Sequence, residues 1–117
     1  MKLIQKIQSV LSPDLLKPSW TLRGHPLSGH RYVASEVLYH LWGKKKGFKP
    51  QVIEVEIQPS LWVTHWYLKK GVVILDPTSE QFPFRIPYNE GRGCGFLTSK
   101  PSKRAKEVIR RLTNARL

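Results

Sequence analysis

The sequence predicts an α+β domain in which a buried central helix packs on a small antiparallel sheet, with amphipathic helices at the two ends. Three observations predict it. Residues 29–42 place Tyr32, Val33, Ala34, Val37, Leu38, Tyr39, Leu41 and Trp42 around most of a helix circumference. A helix apolar on nearly all sides is a buried one. Between residues 51 and 75 come three short segments of strand character, separated by turn residues. Both ends of the chain repeat apolar residues at helical spacing. Helices lying outside an unbroken run of strands give an α+β layout rather than alternating βαβ units.

Each element has its own justification. In residues 2–11, Leu3, Ile4, Ile7, Val10 and Leu11 share one helix face, and Ser12-Pro13-Asp14 stops the helix. Residues 13–27 carry Pro13, Pro18, Gly24 and Pro26 and read as an ordered loop or extended arm. The central helix opens near Ser28, which suits an N-cap, and ends at Gly43. The basic loop Lys44-Lys45-Lys46-Gly47 comes next and complements the negative end of the helix dipole. In the first strand, 51–58, Val52, Val55 and Ile57 are broken by Glu54, Glu56 and Gln58. Strands 61–69 and 72–75 come after it, with turns at Pro59-Ser60 and Lys70-Gly71. Residues 83–101 are rich in Pro and Gly and read as loop. In residues 102–115, Ala105, Val108, Ile109 and Leu112 form an apolar face opposite Lys103, Arg104, Lys106, Arg110 and Arg111.

The 117 residues fit one domain, 1–117. It divides into an N-terminal helix (1–12), a core of helix and sheet (28–82), a Gly/Pro-rich loop (83–101) and a basic C-terminal helix (102–117). Apolar residues make up 40 %, including 4 Trp, 4 Tyr and 4 Phe, enough to fill a single core. The net charge of +12 favours an acidic protein or a nucleic acid as partner. Seven of the Lys and Arg residues, against the single acid Glu107, fall within 98–117. A one-sign face of this kind suits phosphates or an acidic protein, and Lys103, Arg104, Lys106, Arg110 and Arg111 are its binding candidates. No helix-turn-helix, zinc-finger or RNA-binding signature accompanies it, so any nucleic-acid contact is expected to be weakly sequence-specific. The lone Cys94 excludes an internal disulfide framework. No His or Cys pair has metal-ligand spacing, and no metal or other cofactor is expected. Residues 1–11 lack the apolar run of a secretory signal, and no stretch is long enough to span a bilayer. A cytoplasmic location without membrane association is expected. Oligomeric state is not legible.

The sharpest positional argument lies in residues 61–76. If Lys70-Gly71 is a two-residue turn, residue 69 faces residue 72 and His65 faces Asp76. Side chains so opposed have Cβ atoms about 4.5–5.5 Å apart on one sheet face. A carboxylate there would orient the imidazole. A purely structural His–Asp cross-strand pair fits the same spacing. Asp76-Pro77-Thr78 also suits a turn.

Four segments in order carry a resemblance: Gly29-His30-Arg31-Tyr32-Val33-Ala34-Ser35-Glu36, Thr64-His65-Trp66, Leu75-Asp76-Pro77-Thr78 and Gln81-Phe82. Gly91-Arg92-Gly93-Cys94-Gly95-Phe96-Leu97 and Pro101-Ser102-Lys103-Arg104-Ala105 extend it. The chain resembles a group of small bacterial and phage-encoded proteins of papain-like or transglutaminase-like type, with the pattern Gly-His-Cys, Thr/Ser-His-Trp, Leu-Asp-Pro-Thr. The resemblance implies a papain/transglutaminase-like core and a thiol triad with its cysteine at position 31, its histidine at 65 and its aspartate at 76. Here position 31 is arginine, which stays protonated and is no nucleophile. The resemblance therefore implies a non-catalytic relative, a pseudoenzyme acting by binding. Two other readings stay open: a working thiol hydrolase or acyltransferase using Cys94 with His65 and Asp76, and a non-specific nucleic-acid binder acting through the C-terminal helix. Arg31 also opposes the helix dipole in the first turn. Asp76, Glu36, a bound anion or plain solvent are the candidates to offset it.

Overall fold

The structure is a computed structural model that describes residues 2–12, 30–79, 82–96 and 98–114. Its elements are α1 (Lys2–Val10), α2 (Arg31–Leu38), β1 (Lys49–Gln58), β2 (Leu61–Lys70), β3 (Val73–Leu75), β4 (Arg92–Gly93) and α3 (Lys103–Asn114). A π-helical turn, Tyr39–Gly43, prolongs α2. The three α-helices and the four-stranded antiparallel sheet, in the order β3-β2-β1-β4, make an α+β domain as the sequence predicts. Ser28 and the 13–27 segment lie outside the described residues.

The sheet separates two apolar clusters, and strand alternation decides which residue joins which. Ile53 faces His65 and Val55 faces Val63 across β1 and β2. These, with Tyr67, point to one side, where Phe82 and Ile86 from the loop after β3 close over them. Leu68 points to the other side, against Val33, Ala34, Val37 and Leu38 of α2, Ile7 of α1, and Ala105, Val108 and Leu112 of α3. One face of the sheet is thus covered by helices and the other by a loop.

Polar contacts fix the helices where apolar packing alone would let them slide. Ser102 caps α3 by accepting the Ala105 N–H at 3.3 Å. Its own N–H and hydroxyl donate to the Glu36 carboxylate at 2.8 and 2.7 Å. Glu36 is fully buried on α2, so α2 and α3 meet through a carboxylate set at a helix N-terminus, where the dipole favours it. Arg111 donates to the Val10 carbonyl at 3.2 Å and to Ser12 Oγ at 2.6 Å, satisfying the C-terminal end of α1.

Three local expectations need correction. The β2–β3 turn is Gly71-Val72, not Lys70-Gly71: Lys70 pairs with Val73, Lys69 with Ile74 and Leu68 with Leu75. The reason is backbone geometry. Gly71 has φ 58°, and the residue that takes positive φ in such a turn is its first central one, which glycine fills without strain. A Lys70-Gly71 turn of the mirror-image type would place Lys70 at positive φ. The third strand accordingly starts at Val73, not Val72. Within the expected loop 83–101, Arg92–Gly93 pairs with Gln51 and Val52 as a short edge strand, and Tyr88–Glu90 form a 3-10 turn. This edge needs glycine at 91: a Cβ there would fall within bonding distance of the Tyr67 hydroxyl.

β3 is short, which leaves most of one edge of β2 without a strand neighbour. Lys70 and Val73 flank a two-residue turn, so the even-numbered residues of β2 direct their backbone groups toward the β3 side. Beyond Leu75 no described strand covers that edge. α2 covers it instead. The Arg31 Nε donates to the Thr64 carbonyl at 2.9 Å and the Ser35 hydroxyl to the Trp66 carbonyl at 3.0 Å.

Candidate functional site

The residue between those two carbonyls is His65. The first turn of α2 is therefore fastened to β2 on either side of the histidine. His65 has no exposed surface; Phe82 meets it edge-on with ring centroids 5.0 Å apart, and Tyr67 stacks beside it at 6.3 Å.

His65 Nε2 lies 2.5 Å from Asp76 Oδ2. The pair expected from the sequence forms, but from a different register. In the observed pairing Asp76, just past the end of β3, is diagonal to His65 rather than opposite it. A shift of two residues keeps side chains on the same face, so the contact survives. The Asp76 carboxylate also accepts the Thr78 N–H on Oδ1 at 3.1 Å and the Tyr88 hydroxyl on Oδ2 at 2.6 Å. An ionised carboxylate only accepts, so His65 Nε2 is the donor of the shared bond.

Tyr88 is the site residue that sequence reasoning missed. Burial first, then its bond to Asp76, pushes its phenol far above the usual range, so it remains a donor. Tyr67 donates to the Tyr88 carbonyl at 3.0 Å, and burial, then the Asp76 charge, raises its phenol too. Aspartate, histidine and two tyrosines thus form one buried polar network. The only signal for Tyr88 was indirect: a tyrosine in a Pro/Gly turn segment must find a partner for its hydroxyl if buried.

Arg31 is the first residue of α2, next to the N-cap His30, which is itself buried. Arg31 is partly buried and reaches β2 rather than pointing simply to solvent. Glu36, one candidate to offset its charge, is committed to Ser102. Ser35 is buried and spent on the Trp66 carbonyl. Arg31 thus meets the edge of β2 at the Thr64 carbonyl, while His65 and Asp76 meet each other on the face closed by Phe82.

Cys94 does not join them. It is exposed, and its N–H bonds the Pro50 carbonyl at 3.2 Å on the far side of β1. Pro50 pairs with Leu68, which places Cys94 two strands across and three residues along from His65. At ordinary strand spacing and rise that is about 14 Å. Among the described residues, no three His, Cys, Asp or Glu side chains gather as a metal ion would need.

The basic face of α3 is only partly open. Lys103, Lys106 and Arg110 are exposed, whereas Arg104 and Arg111 are partly buried. Glu107 holds Arg110 at 2.6 Å and Arg111 at 3.2 Å. These two guanidiniums, Arg110 foremost, lower its carboxyl to about 2. With Arg111 also holding the end of α1, Lys103, Lys106 and Arg110 carry most of whatever this face offers a partner. No helix of the described residues is long and apolar enough to cross a membrane.

Compared with known proteins, the chain matches no family model, no curated protein and no solved structure.

Proposed function

We propose that this protein is a non-catalytic relative of papain-like or transglutaminase-like proteins, of the kind phages encode, and that it acts by binding an anionic group or the carboxylate of an acidic partner beside Arg31. The observation that carries this reading is the fastening of α2 to β2 on both sides of His65, with arginine as the first residue of the helix. In a thiol enzyme that residue is where a helix N-terminus and an imidazole together stabilise a thiolate. Here the same position holds a permanent cation. An anion at this end of α2 is favoured by the guanidinium and by the helix dipole. His65 is held by Asp76, which also accepts the Tyr88 hydroxyl. Catalysis through Cys94 lacks comparable support, because that thiol lies across the sheet.

The test is to restore the missing group. Arg31→Cys should create a thiol whose alkylation is already fast near pH 6, against the parent as the Cys94 control. A new thiol titrating near about 8.5 would remove the enzyme-derived reading. Arg31→Ala should at the same time weaken the binding of polyglutamate or inorganic phosphate, measured by calorimetry. Equal binding by parent and variant would remove the anion-site reading.

A further inference from the structure

The end of the sheet farthest along β2 from Thr64 gathers charge that no single stretch of sequence displays. Lys44, Lys45 and Lys46 come directly after the π-helical turn; Lys49 opens β1; Lys69 and Lys70 close β2. The fold brings these segments together. Lys49 and Lys69 are direct cross-strand partners. A Cβ placed on Gly47 would lie 3.5 Å from Lys70 Cε and 3.6 Å from its Nζ, so the Lys70 side chain runs over the 44–47 loop. The Lys46 ammonium stands 6.0 Å from the ring of Trp42. All six lysines are exposed except Lys69, which is partly so. Among the described residues, no ion pair involves any of them. Like charges directly opposed on neighbouring strands are destabilising, so an anionic surface would relieve a cost that the fold carries.

The apolar side chains at this end decide which anionic surface. Val72, at the apex of the β2–β3 hairpin and close in the chain to Lys69 and Lys70, is 96 % exposed, and Val73 beside it is 50 % exposed. Leu41, on the turn leading into Lys44, is 39 % exposed. A nucleic-acid contact would use arginine, amide or hydroxyl groups beside the lysines to fix register, whereas no arginine lies in these segments. Lysines around a protruding apolar tip suit a two-phase boundary, with phosphate headgroups for the ammonium groups and acyl chains for the valines. The π-helical turn that presents the first three lysines is a rare form, frequent at functional sites.

We propose that this end of the sheet docks on an anionic lipid surface, with Val72 as the inserting tip and Lys44, Lys45, Lys46, Lys49, Lys69 and Lys70 as the headgroup contacts. The contact is peripheral and needs no spanning helix. It is independent of the cleft at Arg31.

The experiment is co-sedimentation of the full chain with phosphatidylcholine vesicles, with and without phosphatidylserine. The chain should pellet only with phosphatidylserine vesicles at about 0.1 M salt and be released at about 1 M. Lys45→Gln with Lys46→Gln should weaken binding about fivefold per lysine. Val72→Ser should weaken it several-fold with the thermal midpoint unchanged, because the side chain touches almost nothing in the folded protein. Binding by Val72→Ser as tight as the parent's, equal affinity for both vesicle types, or no vesicle binding at low salt would each overturn the proposal. So would retention of a duplex oligonucleotide, unaffected by Val72→Ser, by a chain that ignores vesicles.

Discussion

At the scale of single residues, the chain places its buried polar groups in pairs that sequence reads only when strand alternation, on an element or just past its end, fixes the face of each. His65 and Asp76 were legible because strand alternation fixes the face, and a register error of two leaves the face unchanged. Tyr88 was not, since a Pro- and Gly-rich loop has no period to announce which side chain turns inward. His40 carries no such signal either. It lies on the π-helical turn, with Tyr39 and Phe96 against its ring and Glu36 and Lys44 as the charges felt there. Burial lowers its pKa below 6.5; Glu36 raises it and Lys44 lowers it by lesser amounts. The unfolded chain therefore takes up a proton at higher pH than the folded protein does. His40 costs nothing well above its unfolded pKa, and stability falls as pH drops below about 6.5. Urea midpoints at pH 7.5 and 5.5 test this. The parent should lose more on acidification than His40→Gln, and equal losses would mean that the ring titrates as it does in the unfolded chain.

At the scale of elements, helix existence was legible and helix attachment was not. The apolar periodicity of α1, α2 and α3 marked the faces that now bring together Ile7, Leu38 and Val108. The contact between Glu36 and Ser102 spans 66 positions and joins two residues with ordinary local explanations, a polar spot on a helix and an N-cap. Ser102→Ala removes the cap of α3 and one of the donors of a fully buried carboxylate. It should cost about 2–3 kcal/mol of unfolding free energy, read from urea denaturation. Ser9→Ala, which deletes an exposed bond to the Lys6 carbonyl, should stay within about 0.5 kcal/mol. A loss at Ser102 no greater than at Ser9 would show that the Glu36 carboxylate is otherwise satisfied. The same scale explains the hairpin error. Gly71 marked the turn correctly, and which of its two central places glycine takes depends on turn type, which pattern alone leaves open.

At the scale of the whole molecule, the fold class was plain from element order, while the distribution of charge was not. The net charge of +12 is evident, and its concentration in the last 20 residues marks α3 as basic. The sheet end is not legible in the sequence because its lysines come from segments some 20 positions apart that meet only through β-pairing. Several of the few acids are already engaged, Glu36 with Ser102, Asp76 with His65 and Tyr88, and Glu107 with Arg110. Eight acids against twenty Lys and Arg leave the chain strongly positive. Salt should therefore stabilise the protein: its thermal midpoint should rise between about 0.01 and 0.3 M sodium chloride as self-repulsion is screened. A midpoint that falls over that range would mean that attractive pairs outweigh repulsion in the folded state.

The brevity of β3 carries a consequence for how the protein avoids its own kind. A strand edge with unused carbonyls is a template on which a second chain can add a strand, the usual first step toward swapped dimers and fibrils. Along β2 that template is blunted by two side chains of a helix, Arg31 and Ser35. An arginine at position 31 thus guards a seam. Exchanging it for a small residue removes half of that guard, so an Arg31 variant should self-associate more readily at high concentration than the parent.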